Sequence, residues 1–187
     1  GGGVVGSNAV RMAMGTESQV TVLDNDLTRL QKLDFQFGSR LNTIFSTTAS
    51  IERYVQEADL VIGAVLTPGA SAPKLIRRHM LSTMQKGSVI VDVAIDQGGC
   101  FETSRPTTHA EPTYTVDGVV HYCVTNMPGA VARTSTFALN NVTLRFVKAL
   151  ANKGCTQALE EDLHLRAGLN VHNGKITHEV VAKALES

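Results

Sequence analysis

The sequence has no excess of charge of either sign and no long apolar run. Its 187 residues contain 17 lysines and arginines against 17 aspartates and glutamates, and the basic residues form no run that would bind nucleic acid or a membrane surface. The longest apolar stretch, Leu60 to Leu66, is far shorter than the roughly 20 residues that cross a bilayer. These absences favour small neutral partners over nucleic acid or lipid.

Cysteine is also scarce. Cys100, Cys123 and Cys155 are far apart and form no C-x-x-C pair, so we expect free thiols, no metal site and a reducing, cytoplasmic environment. The first residues show no charged, apolar and small-residue segment of the kind that directs secretion. With 43% apolar residues, the chain has enough to bury a core.

A glycine motif opens the chain. Gly1, Gly3 and Gly6 spell G-x-G-x-x-G, an apolar helical pattern follows as far as Gly15, and an alternating strand then ends at Asp24. In a dinucleotide-binding unit the first glycine makes a tight turn, the second admits the pyrophosphate, and the third packs helix against sheet. The order of turn, helix, strand and acid therefore predicts a βαβ unit that binds a dinucleotide.

A strand should lead into the first glycine of this motif. No residue precedes Gly1, and the chain does not begin with methionine. We therefore expect a piece of a longer protein, without the first strand of its sheet and inactive alone.

Helical patterns alternate with short apolar runs as far as Ala94. The predicted helices lie around Leu27–Phe37, Ile51–Ala58 and Leu75–Met80, and the predicted strands at Val20–Asp24, Leu41–Phe45, Leu60–Val65 and Ser88–Ala94. Strands this apolar are typical of a parallel sheet covered on both faces. The predicted fold class is α/β, a Rossmann-type doubly wound parallel sheet.

The pattern changes after Ile95. A long loop runs to about Pro112, the Asp117-Gly118 turn predicts a hairpin, and a helical pattern from Thr134 to Lys153 is too long for a crossover helix. A short helix, a hairpin around Asn173-Gly174 and a last helix complete the chain. The expected domains are a cofactor domain, 1–132, and part of a second α/β domain that binds substrate, 133–187.

Asp24 ends its strand where a carboxylate accepts hydrogen bonds from both ribose hydroxyls and repels a 2′-phosphate. That position predicts NAD over NADP. The alternative is that Asp24 caps the following helix, a role that Asn25 or Asp26 fits equally well. Three further residues stand at strand ends, where cofactor-contacting loops lie: Ser46, Val65 and Leu66.

Asp96 follows the last of these predicted strands and is succeeded by Gln97-Gly98-Gly99. Ligands bind at that edge of a parallel sheet, so a carboxylate there can orient or exchange protons with a reacting amino or carbonyl group. The alternative is a hydrogen bond that orders the loop. We interpret Asp92, inside the strand, as structural, and likewise His109 and His121, which have no spacing that marks a base or a ligand.

The segment from Val91 to Thr108 contains V-D-V-A-I-D-Q-G-G-C-F-E and S-R-P-T-T. This segment resembles bacterial alanine dehydrogenase. Other matching segments are Ala58–Leu66 with Pro68-Gly69-Ala70, His121–Val124, Asn126–Val131 and Thr134–Thr136. The resemblance covers all 187 residues and is strongest from Asp59 to Thr136, so the chain is identified as a member of this family.

The resemblance implies an enzyme that interconverts L-alanine with pyruvate and ammonia, with hydride passing to NAD. Asp96 matches the family's catalytic aspartate. The positions that match the family's cofactor contacts are Gly1, Gly3, Val4, Val5, Gly6, Asp24, Arg29, Ser46, Val65, Leu66, Val93, Ala94, Ile95, Asp96, Arg105, Val124, Thr125, Asn126 and Met127.

The family's catalytic histidine, and its substrate-binding arginine and lysine, lie in an amino-terminal region that this sequence lacks. None of the six histidines here therefore inherits that role. The family is typically hexameric, which implies a homo-oligomer. Two alternatives stay open: the NAD-binding subunit of proton-translocating transhydrogenase, which passes hydride to a second nicotinamide, and a non-catalytic NAD-binding module.

Overall fold

The computed structural model describes residues 1–65 and 72–186. The chain divides into two compact units, Gly1–Thr125 and Asn126–Ser187. Within the described ranges, no helix combines the length and the apolar character that crossing a membrane requires. In the same ranges, no group of three or more His, Cys, Asp or Glu residues is placed to hold a metal ion.

Helices and strands alternate through most of the first unit. Its α-helices are α1 (Val4–Gly15), α2 (Leu27–Phe37), α3 (Thr48–Glu57) and α4 (Arg78–Leu81). Its strands are β1 (Val20–Asp24), β2 (Leu41–Phe45), β3 (Leu60–Gly63), β4 (Val89–Asp92), β5 (Thr113–Val116) and β6 (Val119–Tyr122). The helices α1, α2 and α3 and the strands β1 and β2 lie where the sequence predicts them.

The strands of the first unit form two sheets. β1 and β2 pair in parallel, and the second sheet has the order β3, β4, β6, β5. In that sheet β3, β4 and β6 are parallel, and β5 is antiparallel to β6 across the predicted hairpin turn. β1 and β3 do not pair with each other, but both line one groove. The predicted parallel α/β sheet is thus present in two parts.

Each sheet has its own apolar core. Val10 of α1, together with Leu30 and Leu33 of α2, packs with Val22 of β1, which is what the helical spacing of these residues predicts. The second sheet's core combines residues of α4 and the stretch before it with residues of the strands and the long loop: Ile76, Met80, Leu81, Ile90, Phe101 and Val119. Burial of these apolar side chains holds the helices against the strands of each sheet.

Two predicted elements are shorter than expected. β3 ends at Gly63, and Leu60 at its start is 50% exposed, so this strand is not covered along its whole length. The predicted helix Leu75–Met80 is present only from Arg78, where α4 begins, because Ile76 forms a parallel bridge with Phe101 instead. An apolar run this short does not distinguish helix from strand by periodicity.

The last predicted strand of the alternating region also ends early. β4 stops at Asp92, and Val93–Gln97 forms a 3-10 helix. The Asp92 side chain accepts a hydrogen bond from the Ala94 backbone N–H at 3.1 Å, which caps this turn instead of continuing the strand. Asp96 therefore lies in a helical turn beyond the strand.

The second unit is mainly helical. Its elements are a 3-10 helix (Met127–Val131), α5 (Ala132–Glu161), α6 (Leu163–Ala167), β7 (Val171–His172), β8 (Lys175–Ile176) and α7 (Glu179–Glu186). Gly154 has φ 76° and interrupts α5, at the predicted helix end. The predicted hairpin is present, with Asn173 and Gly174 both at positive φ. Residues 127–133, which precede the predicted long helix, are also helical.

We expect Gly63→Ala to lower the free energy of unfolding by about 1 to 3 kcal/mol, because the added methyl group overpacks the core. A Cβ at Gly63 would collide with the Cys100 Sγ and lie 2.7 Å from the Phe101 Cζ. Gly15→Ala is the matched control, since a Cβ there has no neighbour within 4 Å and helices favour alanine. Urea denaturation measures both; equal stability of the two variants would contradict this packing.

Candidate dinucleotide-binding site

The three glycines of the motif have different surroundings. A Cβ at Gly6 would collide with the Gly1 carbonyl oxygen, and a Cβ at Gly1 would lie 2.6 Å from the Ala64 carbonyl oxygen. Gly3 has nothing within 4 Å of its Cβ position. Close packing thus requires glycine at the first and third positions, while the space beside the second is open to a ligand.

The amino terminus of α1 is the anion-binding element of this turn. Gly3 is its N-cap and supplies no side-chain acceptor, and Ser7 makes the first helical hydrogen bond, to the Gly3 carbonyl at 2.8 Å. The N–H groups of Val4 and Val5 therefore have no intrahelical acceptor. Both residues are exposed, at 79% and 49%, so these donors are available to a phosphate.

Asp24 connects the end of β1 to the glycine turn. Its Oδ2 accepts a hydrogen bond from the Gly2 N–H at 2.6 Å, and its Oδ1 accepts one from the Asp26 N–H at 2.9 Å. The N-cap of α2 is Asp26, whose side chain accepts from the Arg29 N–H. The alternative that Asp24 caps this helix is therefore wrong. Each carboxylate oxygen keeps a lone pair that can accept a ribose hydroxyl.

Three other predicted contacts surround this turn. Arg29 is exposed, and its Cγ lies 3.3 Å from the position of a Cβ on Gly2. Ser46 follows β2, and its N–H donates to the Asp24 carbonyl at 2.9 Å. Val65 follows β3 and lies beside Gly1. Leu66, the remaining prediction at this strand end, lies outside the described residues.

A fully buried carboxylate organises the next strand end. The Asp92 Oδ2 accepts hydrogen bonds from the backbone N–H groups of Cys100 and Phe101 at 2.9 and 3.2 Å and from the Ser104 hydroxyl at 2.5 Å. Asp92 is 0% exposed. These bonds confirm the structural interpretation of Asp92. Burial, together with the same carboxylate, raises the pKa of the Cys100 thiol, so this thiol stays protonated.

Asp96 differs from Asp92 in its environment. It is exposed, four residues beyond β4, and its carboxylate makes no hydrogen bond to any residue that the structure describes. The hydrogen bonds that order this loop belong to Asp92 and not to Asp96. Among the described residues Asp96 orders no loop, and within that part of the chain its exposed carboxylate is open to a ligand.

Arg105 is held by aromatic stacking. Its guanidinium carbon lies 4.0 Å from the centroid of the Tyr114 ring, and the backbone N–H of Arg105 donates to the Tyr114 hydroxyl at 2.8 Å. His121 stacks on Tyr114 at 4.8 Å between ring centroids, and its two ring nitrogens contact the Thr103 hydroxyl and the Val119 carbonyl. His121 is thus a satisfied structural histidine, as predicted.

The remaining predicted contacts fall into three groups. Val93 is half-buried and Thr125 is exposed. Three of them have buried side chains, with 8%, 4% and 1% exposure: Ala94, Ile95 and Val124. Their side chains pack in the interior of the first unit. Asn126 and Met127 belong to the second unit.

Two supporting residues are absent from the predicted site. Lys74 donates to the carbonyls of Gly98 and Gly99, and Tyr114 positions Arg105. Both act across the chain on a segment at least nine residues away, so no local periodicity marks them. The sequence did offer one indication of such a donor, the consecutive glycines Gly98 and Gly99. A turn at positive φ leaves backbone carbonyls that need a hydrogen-bond donor, which Lys74 supplies.

The sequence profile described as alanine dehydrogenase/PNT, C-terminal domain, matches residues 1–179. The chain belongs to this family. It is 67% identical over 184 residues to an alanine dehydrogenase of Halomonas elongata, covering 98% of the chain and 50% of that protein. It is 54% identical over 187 residues to alanine dehydrogenase 2 of Staphylococcus aureus, covering 100% of the chain and 50% of that protein.

Solved structures of family members match as well. An L-alanine dehydrogenase superimposes with a TM-score of 0.89 at 53% identity, over 100% of the chain and 51% of that protein. A transhydrogenase from Sinorhizobium meliloti matches with a TM-score of 0.70 at 27% identity, over 95% of the chain and 48% of that protein. The chain thus spans about half the length of these relatives, and the predicted Rossmann-type fold class is confirmed.

His121 is expected to make the stability of this family member depend on pH. Burial, together with the Arg105 cation, lowers the pKa of His121 below its ordinary value, so the folded state binds fewer protons than the unfolded state. The unfolding free energy should therefore fall as the pH drops below about 6.5, by at most about 1.4 kcal/mol per pH unit from this group. Above that pH the group contributes no slope.

Urea denaturation between pH 5 and 7 checks this expectation. His121→Gln should show a shallower pH dependence than the parent chain, while the exposed control His172→Gln should keep the parent slope. Equal slopes for His121→Gln and the parent would contradict a buried, neutral His121.

Proposed function

We propose that this chain provides the NAD-binding half of an alanine dehydrogenase, which interconverts L-alanine with pyruvate and ammonia. Membership of the family and the high identity to two alanine dehydrogenases support this activity. The observation that carries the cofactor assignment is the pairing of an open glycine turn with Asp24 directly beside it. A carboxylate in that place favours a free ribose 2′-hydroxyl over a 2′-phosphate.

The described residues fit NAD in three places. The free N–H groups at the start of α1 receive the pyrophosphate, and the open space beside Gly3 lets the phosphates approach the backbone. Asp24 accepts the ribose hydroxyls. Arg105, exposed and stacked on Tyr114, offers a fixed cation. When bound, NAD supplies the nicotinamide that accepts a hydride from the α-carbon of the substrate.

Asp96 is the proposed catalytic residue. Oxidation of alanine leaves an iminium, which water attacks before the C–N bond breaks to give pyruvate and ammonia. An exposed carboxylate without a partner among the described residues can take the proton from the attacking water or hold the ammonium of the substrate. Asp92 cannot do either, because four backbone and hydroxyl donors and a thiol already occupy its buried oxygens.

The rest of the enzyme is proposed from the family. A catalytic histidine and the substrate-binding arginine and lysine would come from an amino-terminal region. Residues 1–132 would form the cofactor domain, and residues 133–187 would belong to the substrate domain. We propose a hexamer in the cytoplasm, and α5, with exposed apolar side chains such as Phe137, Val142 and Val147, as a place of subunit contact.

The transhydrogenase alternative is less well supported. The structural match to that protein has half the identity of the match to the alanine dehydrogenase, 27% against 53%. Purified full-length protein distinguishes the candidates, because alanine dehydrogenase forms NADH only when L-alanine is added. Hydride transfer between two nicotinamide nucleotides without alanine would favour the transhydrogenase, and NAD binding without either reaction would favour the non-catalytic module.

Asp24→Ala should change cofactor preference. In the full-length enzyme, loss of the carboxylate weakens NAD and removes the repulsion of NADP, so the ratio of kcat/KM values should shift tenfold to a hundredfold toward NADP, about 1.4 to 2.8 kcal/mol. Asp26→Ala is the control, since it removes the cap of α2 and leaves Asp24 in place. Steady-state kinetics with both cofactors measures the shift, and an unchanged ratio in Asp24→Ala would contradict the ribose role.

Asp96→Asn should lower turnover while NAD affinity stays nearly unchanged. The amide keeps the shape of the side chain but removes its charge and basicity, so kcat should fall by about two orders of magnitude. Asp34→Asn, an exposed acid on α2, should be silent. A variant with parent turnover would exclude Asp96 from catalysis, and an equal loss of NAD binding in a titration would make it a cofactor ligand only.

A further inference from the structure

Charged groups hold the segment that carries Asp96 from two sides. On the inner side, Asp92 accepts hydrogen bonds from four donors between Ala94 and Ser104. The segment therefore wraps around one buried carboxylate. A Cβ on Gly99 would lie 2.7 Å from the Asp92 Oδ2, which shows how closely the segment folds over it.

On the outer side, Lys74 holds the same segment. Its Nζ donates to the Gly98 carbonyl at 2.5 Å and to the Gly99 carbonyl at 2.8 Å. Both glycines have positive φ, 85° and 75°, so these carbonyls belong to a tight turn that cannot satisfy them locally. Two of the three ammonium donors are thus committed to the backbone.

The strand-like stretch that carries Lys74 is itself fixed to the segment. The Ala72 N–H donates to the Gln97 carbonyl at 2.9 Å, and the Leu75 N–H donates to the Cys100 carbonyl at 2.8 Å. Lys74 lies between these two bonds and is half-buried. Its ammonium is therefore held in place, unlike that of a lysine extended into solvent.

Asp96 lies between the two points of attachment. Its side chain has no hydrogen-bond partner among the described residues, so within that part of the chain its position follows from the backbone. The 3-10 helix that carries it begins at the Asp92 cap and ends at Gly98, whose carbonyl Lys74 holds. The position of the Asp96 carboxylate thus depends on both ends of one short turn.

We propose that Lys74 is a positioning residue for Asp96, and that its two hydrogen bonds to Gly98 and Gly99 hold the turn in the arrangement needed for turnover. This inference rests on the proposed function. It assigns no contact with substrate or cofactor to Lys74. Misplacement of a catalytic group by about 1 Å costs up to a hundredfold in rate, so the loss of these bonds is measurable.

The test uses three variants of the full-length enzyme. Lys74→Met keeps the length of the side chain without donors, Lys74→Arg keeps the donors, and Lys86→Met is the control. Lys86 is exposed near the Gly118 turn, at the opposite end of β4, and its ammonium has no partner among the described residues. For each, kcat, the KM for L-alanine, the NAD dissociation constant and amide hydrogen exchange of residues 93–104 are measured.

Lys74→Met should lower kcat about tenfold to a hundredfold, leave the NAD dissociation constant within about twofold, and speed exchange at residues 98–101. Lys74→Arg should restore most of the rate, and Lys86→Met should match the parent. Parent turnover in Lys74→Met would overturn the proposal. A proportionate loss of kcat, NAD affinity and melting temperature would also overturn it, because that pattern marks a purely structural residue.

The same measurements distinguish failure of the proposed function from failure of the positioning role. If the parent enzyme forms no NADH with L-alanine, the alanine dehydrogenase assignment is wrong whatever the variants do. If the parent is active and Lys74→Met is equally active, only the positioning role is wrong.

Discussion

The structure of the first unit depends on one buried carboxylate. Asp92 ends β4 at 0% exposure, and burying a charge is costly unless it is hydrogen-bonded. Three backbone N–H groups and the Ser104 hydroxyl satisfy it. Because these donors come from both ends of the segment 93–104, the same bonds that stabilise the charge also decide where the segment turns and where Asp96 lies.

The proposed site extends from that carboxylate along the edge of the sheet. The Ser104 hydroxyl donates to Asp92, and Arg105 is the next residue in the chain. Tyr114 holds Arg105 by stacking and by a hydrogen bond. At the other end, Asp24 fixes the glycine turn through the Gly2 N–H. Asp92 thus orders one end of the proposed ligand surface, and Asp24 orders the glycine turn at the other end. Burial separates Asp92, which is 0% exposed and organises the loop, from Asp96, which is exposed.

The sequence predicted the parts of this arrangement that have local signals. The glycine spacing, the apolar face of α2 and the Asp117-Gly118 turn each indicate their own structure, and all three are present. It did not predict the bridge between Ile76 and Phe101 or the contacts of Lys74, because these depend on residues that meet only in the folded chain. The structural role of Asp92 was predicted and is confirmed, but its cause, the loop folding back over Asp92, was not predicted.

We propose that NAD binds along this edge, from the glycine turn to the Asp96 segment. A crystal structure of the full-length protein with NAD bound tests it most directly. We expect pyrophosphate oxygens about 3 Å from the N–H groups at the start of α1, both ribose hydroxyls on the Asp24 carboxylate, and the nicotinamide beside Asp96. NAD bound elsewhere on the chain, or with its ribose turned away from Asp24, would contradict it.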